Sequence, residues 1–222
     1  AAKAGGADSL TLHVRGDRRH VHEGDVESVK SACSLPINFE MASTAEMLGI
    51  ALRLAPDFVC LVPENRQEIT TEGGLDVAGQ QASLGVTVNT LQKGGSMVSM
   101  FIDPDDAQIR ASAEVGADAI ELHTGCFANS EGDERAEEIR RLVTGARLAH
   151  ELGLQVNAGH GINYCNIGSA HINLGNFPMA AKFFEKAMFA LFFSLDSASW
   201  FFPVFTIFRL FLVIIFLFLL KI

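Results

Sequence analysis

Ser9-Leu10-Thr11-Leu12-His13-Val14-Arg15-Gly16-Asp17-Arg18-Arg19-His20 places a short β-prone run directly before a dense basic segment. Two histidines and three arginines fall within residues 13–20. Arginine presents a planar fork of donors that suits phosphate, and histidine can transfer a proton near neutral pH. A charge run of this kind is commonly a solvated surface loop. Other parts of the sequence are needed to distinguish a solvated loop from a phosphate site.

Outward from this stretch, β-prone runs alternate with helical segments along the chain. Strands are predicted over 10–14, 37–41, 58–62, 97–102, 119–123 and 154–158. Helices are predicted over 25–33, 43–54, 84–93, 104–115 and 134–152, with a capping box at Ser43 and Glu46 and a C-terminal cap at Gly153. This alternation is typical of a parallel sheet with helical crossovers. A (β/α)8 barrel and an open doubly wound sheet both fit it.

The positions of polar residues favour the barrel. Polar, potentially reactive side chains lie at or just past the carboxyl ends of many predicted strands: His13, Arg15, Glu40, Glu64, Asp103, Glu121, His123 and His160. Barrel enzymes build their active sites at that end from several strands. No G-x-G-x-x-G motif follows the first strand, which weakens a dinucleotide-binding alternative.

Composition excludes several classes of function. The 222 residues carry 26 acidic and 17 basic side chains, a net charge of −9, which argues against a nucleic-acid partner. Four scattered cysteines without C-x-x-C spacing predict reduced thiols in a cytoplasmic protein, with neither a disulfide framework nor a zinc site. The sequence opens without Met in what reads as the end of a helix, so we expect the natural N-terminus to lie upstream.

Six motifs in order resemble the pyridoxine 5′-phosphate synthase family over residues 1–164. They are His13-x-Arg15-x-Asp17-Arg18-Arg19-His20, Asn38-Phe39-Glu40-Met41, Val62-Pro63-Glu64, Thr70-Thr71-Glu72-Gly73-Gly74-Leu75-Asp76-Val77, Glu121-Leu122-His123-Thr124-Gly125 and Asn157-Ala158-Gly159-His160-Gly161. Each falls at a predicted strand end or in a loop that follows one.

The resemblance implies a homo-oligomeric (β/α)8 barrel enzyme of vitamin B6 biosynthesis. It would condense 1-deoxy-D-xylulose 5-phosphate with 3-amino-2-oxopropyl phosphate to pyridoxine 5′-phosphate, with no metal and no organic cofactor. The residue types suit this chemistry, because two phosphorylated substrates need cationic partners. Imine formation, dehydration and ring closure also need several proton transfers.

The resemblance also implies a role for particular residues. His13 and Glu40 would be proton acceptors, His160 a proton donor, and Glu121 would stabilise a transition state. Deoxyxylulose phosphate would be bound by Arg15, His20 and Thr70, and the aminoketone phosphate would be approached by Gly161. Two alternatives come from the residues themselves: Glu40 could pair with a neighbouring arginine, and Thr70 could simply form a turn.

The resemblance has limits at both ends of the chain. The family begins with a strand whose Asn, Asp and Arg contact substrate, and that strand has no counterpart here. The family's eighth strand ends in N-I-G-H, whereas Asn166-Ile167-Gly168 is followed here by Ser169. We therefore expect a truncated barrel that lacks the first and eighth strands and that is an impaired catalyst. A non-catalytic fusion used for binding or membrane tethering is the alternative.

The C-terminal part has a different character. Residues 165–195 are expected to form a helical hairpin, and residues 164–190 resemble a single tetratricopeptide repeat. Residues 196–222 form a hydrophobic tail in which Phe201–Leu220 is long enough to cross a bilayer. The tail is interpreted as a membrane anchor, as an artefact of gene prediction, or as a buried helix. Membrane association is expected only if the tail is part of the natural protein.

Overall fold

The computed structural model describes Lys3, residues 7–63 and residues 73–158. Within these residues six parallel strands form one sheet: β1 (Leu10–His13), β2 (Ile37–Met41), β3 (Phe58–Leu61), β4 (Met97–Ile102), β5 (Ala119–Leu122) and β6 (Gln155–Ala158). The strands lie in the sheet in the same order as in the chain. A doubly wound sheet reverses its strand order at a switch point, and no reversal occurs here. The sequential order is that of a (β/α)8 barrel, seen here over six of its strands.

The helices lie between the strands: α1 (Glu23–Ala32), α2 (Ala45–Leu54), α3 (Gln81–Lys93), α4 (Asp106–Glu114), α5 (Gly125–Asn129) and α6 (Gly132–Glu151), with a 3₁₀ turn at Ala78–Gln80. Crossovers between parallel strands are almost always right-handed. With sequential strands, that rule puts the crossover helices on one side of the sheet. The apolar stripes of these helices bury the core against the strand residues that point to that side.

Alternation along each strand gives the sheet one apolar face. Ile37, Phe39 and Met41 of β2 are at most 2% exposed, and Met100 and Ile120 of the next strands are fully buried. At about 25 cal/mol per Å² of apolar surface removed from water, this layer is the main source of stability. The opposite face of the same strands carries the polar residues considered below.

The predicted strands 37–41 and 97–102 match β2 and β4 at both ends. The predicted cap of the second helix was wrong by one residue, because Thr44 is the N-cap and its hydroxyl accepts from the Met47 amide at 3.2 Å. Ser43 instead hydrogen-bonds Thr87 of α3 at 3.1 Å. Gly153 follows α6 with φ of +81°, as its predicted capping role requires.

Two predicted segments, the helical hairpin of 165–195 and the hydrophobic tail of 196–222, lie outside the described residues. In the part of the chain that is described, no helix is both long enough and apolar enough to cross a membrane.

Candidate active site

A polar row crosses the sheet on the face opposite the helices. The register pairs His13 with Glu40, Glu40 with Cys60, and Cys60 with Ser99, so these four side chains point to the same side. Glu121 of β5 points to this side as well, because its register partner Phe101 lies two residues beyond Ser99 in β4. The sequential strand order thus gathers residues that are up to about a hundred positions apart in the chain.

His13 and Glu40 form the first pair in the row. His13 Nδ1 lies 3.6 Å from Glu40 Oε2, and the two side chains are 27% and 23% exposed. Burial raises the pKa of Glu40 above its ordinary value, and the charge of the neighbouring His13 partly opposes that rise. A carboxylate with a raised pKa is a better general base near neutral pH. Among the described residues, the ion-pair partner of Glu40 is His13, and the arginine partner considered as an alternative is not seen there.

Glu121 and Cys60 form the second pair. The Cys60 thiol is fully buried and donates a hydrogen bond to Glu121 Oε2 at 3.8 Å. Burial, together with the nearby charge of Glu40, raises the pKa of Glu121 to about 7, while the thiol hydrogen bond lowers it. Burial and the Glu121 charge raise the pKa of the Cys60 thiol well above its ordinary value, so Cys60 stays protonated and acts as a donor. Glu121 can therefore gain or lose a proton near neutral pH.

The three arginines of the basic loop, defined as residues 15–20, have different partners. Arg19 donates two hydrogen bonds from its guanidinium to Asp17, at 2.8 and 2.5 Å, and these lower the pKa of Asp17 to about 2. Arg18 binds Glu23 and Glu46. Arg15 Nε is buried and lacks a hydrogen-bond partner among the described residues, with Asp17 Oδ1 at 3.8 Å. His20 lies at the end of the loop and is exposed.

A second histidine–carboxylate pair lies at the carboxyl ends of β4 and β5. His123 Nδ1 is 3.0 Å from Asp103 Oδ1, and Asp103 Oδ2 accepts from the Gly74 amide at 3.0 Å. The hydrogen bond with His123 holds the pKa of Asp103 below its ordinary value. A Cβ at Gly74 would lie 2.3 Å from the Asp103 backbone nitrogen, so only glycine allows this close approach.

The structure brings three of the four predicted catalytic residues, His13, Glu40 and Glu121, to one face of the sheet. It places Arg15 and His20 in the loop that follows β1. Thr70, His160 and Gly161 lie outside the described residues. Cys60 and Arg18 were not predicted as site residues. The pairing of strands could have indicated Cys60, since it faces Glu40, but no local motif marks it. In the described ranges 7–63 and 73–158, no group of three or more His, Cys, Asp or Glu side chains is arranged to hold a metal ion.

The chain is similar to a known protein family and to several named relatives. The family model described as pyridoxal phosphate biosynthesis protein PdxJ matches residues 1–174, which extends into the segment predicted as a helical hairpin. A relative from Akkermansia muciniphila, named pyridoxine 5′-phosphate synthase, is 58% identical over 167 residues, covering 75% of this chain and 68% of the relative.

Two further relatives carry the same name. The protein from Opitutus terrae is 52% identical over 169 residues, covering 75% of this chain and 68% of the relative. The protein from Synechococcus sp. strain CC9605 is 49% identical over 182 residues, covering 79% of this chain and 73% of the relative. Among solved structures, D-psicose 3-epimerase from Clostridium cellulolyticum H10 is 12% identical with a TM-score of 0.39, covering 85% of this chain and 88% of that one. That likeness is too low to bear on the fold.

A parallel barrel-type sheet with a row of polar residues across one face defines the class: an enzyme site built on a (β/α)8 framework. The family match covers well over half of the chain, and the relatives are far above 30% identity. The chain belongs to the PdxJ family of pyridoxal phosphate biosynthesis.

Proposed function

We propose that this chain is a pyridoxine 5′-phosphate synthase acting on small phosphorylated substrates in vitamin B6 biosynthesis. The observation that carries the proposal is the polar row in a member of this family: His13, Glu40 and Glu121 share one face of the sheet. The substrates we propose are 1-deoxy-D-xylulose 5-phosphate and 3-amino-2-oxopropyl phosphate. The reaction joins them with loss of phosphate and water.

The basic loop supplies a place for a substrate phosphate. The buried Arg15 Nε has a hydrogen left over for an acceptor, and a phosphate oxygen is an acceptor of the right charge. His20 is exposed at the end of the same loop and can donate a second hydrogen bond. The phosphate of deoxyxylulose phosphate is the group that we assign to this loop. Thr70 is proposed as a further ligand, and Gly161 as the point of approach for the aminoketone phosphate.

Proton transfer falls to the pair at the carboxyl ends of β1 and β2. The raised pKa of Glu40 suits a base that takes a proton from carbon or from water near neutral pH. His13, 3.6 Å away, can take a second proton in another step. His160 is proposed as the acid that returns one to a leaving hydroxyl.

Glu121 is suited to stabilise positive charge. A cationic nitrogen beside this buried carboxyl would favour its ionised form and bring its pKa down from about 7. The resulting ion pair would form in a site of low dielectric constant, where it is stronger than in water. Imine formation between an amine and a ketone produces such a nitrogen, so Glu121 would act on the iminium state. We further propose a cytoplasmic homo-oligomer, as the family resemblance implies.

The test is direct measurement of product. Purified chain 1–222 is incubated with both substrates, and pyridoxine 5′-phosphate and released phosphate are measured together, with the Akkermansia muciniphila synthase as the reference. We expect the two products in equal amounts and dependent on both substrates, at a turnover below that of the reference. Absence of product from the folded chain, alongside an active reference, would contradict the proposal and favour the non-catalytic alternative.

A further inference from the structure

We propose that Arg18 is a positioning residue that holds the basic loop in its phosphate-binding shape and does not itself bind phosphate. The inference rests on the proposed function, because it concerns how the loop presents Arg15 to a substrate. By residue type, the three arginines of residues 15–19 are equivalent candidates for phosphate contact, and only the family resemblance favours Arg15. Their contacts separate them.

The first observation is the backbone turn that Arg18 closes. The Arg18 amide donates to the Arg15 carbonyl at 2.9 Å, and Arg18 has a φ of +53°. A left-handed conformation is uncommon for a residue with a side chain and persists only where the surroundings stabilise it. The same side chain turns back on this turn, because Nη1 donates to the carbonyls of Arg15 at 3.2 Å and Gly16 at 2.8 Å.

The second observation is the attachment of the loop to two helices. Arg18 Nε and Nη2 donate to Glu23 Oε1 at 3.0 and 2.7 Å, and Nη2 also donates to Glu46 Oε1 at 2.6 Å. Glu23 lies in the first turn of α1 and Glu46 in the first turn of α2. One side chain therefore ties the β1–α1 loop to both helices that flank β2.

All the donors of Arg18 are thus engaged. A guanidinium has five N–H groups, and five contacts to protein oxygens are present. Two carboxylates surround the single positive charge, and the hydrogen bond from Arg18 lowers the pKa of Glu23, which keeps that carboxylate ionised. A phosphate approaching Arg18 would meet net negative charge, so Arg18 is a poor anion ligand.

Arg15 has the complementary arrangement. Its Nε is buried and lacks a hydrogen-bond partner among the described residues, and its backbone carbonyl is held twice by Arg18. Fixing that carbonyl fixes the direction in which the Arg15 side chain leaves the loop. Preorganised donors bind an anion more tightly, since the ordering of the loop is not repeated at each binding event.

The experiment compares Arg18→Gly, Arg18→Lys and Arg53→Gln in the full chain. Glycine tolerates the positive φ, so Arg18→Gly removes the side chain without backbone strain. Arg18→Lys keeps the positive charge but replaces the planar guanidinium, with its five N–H donors, by an ammonium group. Arg53→Gln is the matched control for loss of a positive charge near Glu23, because exposed Arg53 of α2 reaches a carboxylate of α1, Glu27 Oε1 at 3.9 Å, and its charge helps to lower the pKa of Glu23.

We expect Arg18→Gly to raise KM for deoxyxylulose phosphate about tenfold with kcat changed less than about threefold, since a displaced anion ligand weakens binding more than chemistry. Arg18→Lys should fall between Arg18→Gly and the wild type, and Arg53→Gln should match the wild type. Millimolar guanidinium, but not ammonium, should lower KM of Arg18→Gly by filling the space between Glu23 and Glu46.

Hydrogen exchange of the peptide that spans residues 13–22 supplies a readout independent of turnover. We expect faster exchange in Arg18→Gly than in the wild type and in Arg53→Gln. A folded Arg18→Gly with unchanged KM and unchanged exchange would overturn the inference, and so would a loss confined to kcat. Lack of turnover by the wild type itself would contradict the proposed function instead, and the exchange measurement would still decide whether Arg18 orders the loop.

Discussion

Phe39 and Glu40 are neighbours in β2 and show how differently the two faces of one sheet are used. Phe39 is fully buried among the apolar residues that meet the helices, whereas Glu40 is 23% exposed and faces His13 on the other side. On the helix side, burial removes apolar surface from water and stabilises the fold. On the polar side, burial raises the pKa of Glu40 and of Glu121, which means that their ionised forms are less stable than in water. Burial on the helix face stabilises the fold, whereas burial of the carboxyl groups on the polar face destabilises it in part.

The largest expected effect comes from the polar face. Glu40→Gln keeps the shape of the side chain and removes the base, so turnover should fall by about 10²–10⁴-fold. The free energy of unfolding should stay the same or rise, because a desolvated carboxyl is replaced by a neutral amide. Steady-state kinetics and urea unfolding measure the two quantities on one sample. Turnover within tenfold of wild type would remove Glu40 from the chemistry.

The matching change on the helix face should lower stability and leave turnover largely unchanged. Phe39→Ala should lower the free energy of unfolding by about 3–5 kcal/mol, since it opens a cavity in the core. Turnover per folded molecule should change far less than in Glu40→Gln. Urea titration followed by circular dichroism gives the loss, with Phe39→Leu as the control that removes less of the buried side chain and should cost less. A cost below about 1 kcal/mol for Phe39→Ala would show that this layer is not closely packed.

The third prediction concerns the dependence of stability on pH. Glu121 has a pKa of about 7 in the folded state and an ordinary value of 4.5, so the folded state binds the proton more tightly than the unfolded state. Protonation of Glu121 therefore contributes to the free energy of unfolding. This contribution is fully present below pH 4.5 and is lost as pH rises through 7. A shift of this size corresponds to about 3 kcal/mol at 1.36 kcal/mol per pKa unit.

Glu121→Gln removes this titration. We expect the variant to be more stable than the wild type at pH 8 and nearly equal to it at pH 4.5, measured as the difference in urea midpoints across that range. If the urea midpoints of the wild type and Glu121→Gln differ by the same amount at every pH in this range, the raised pKa of Glu121 is contradicted.

The smallest expected effect is at Cys60. Its thiol donates to Glu121 and lowers the pKa of that carboxyl, so Cys60→Ala should raise the pKa of Glu121 further, and Cys60→Ser should restore it. The carboxyl stretching band of Glu121, followed by infrared titration against Glu121→Gln, reports the midpoint. Cys126→Ala, at an exposed cysteine, is the control. A midpoint that does not move in Cys60→Ala would mean that the thiol does not bond to Glu121 in solution.

The parallel sheet and most of the residues on its polar face could be predicted from the sequence. The alternation of β-prone and helical segments gave the parallel sheet, and the positions of His13, Glu40 and Glu121 in their strands indicated a shared end of it. Period-two alternation is a local property, and it survives folding because the strands are held in register by their neighbours. The bounds of β2 and β4 were predicted for the same reason.

What could not be predicted depends on partners distant in the chain. Ser43 and Thr44 are both good N-caps, and the contact of Ser43 with Thr87 of α3 leaves the cap to Thr44. Arg18 differs from Arg15 because Glu46, 28 residues further on, reaches it. Cys60 looked like an ordinary reduced thiol until the strand order put it beside Glu121, which is 61 residues away. The short helix α5 has too few residues to show a period.

The strand order also bears on how the chain folds as it is synthesised. Each strand pairs with the one before it, and register partners lie from 20 residues apart, as Asn38 and Phe58 do, to 39 apart, as Phe58 and Met97 do. Short separations of this kind keep the entropy of loop closure low and favour rapid pairing. During synthesis β2 can therefore join β1 before β4 exists, and each later βα unit then adds to the edge that the previous unit left. The basic loop and its contacts with α1 and α2 would form in the early steps, so the loop is complete long before Glu121 leaves the ribosome.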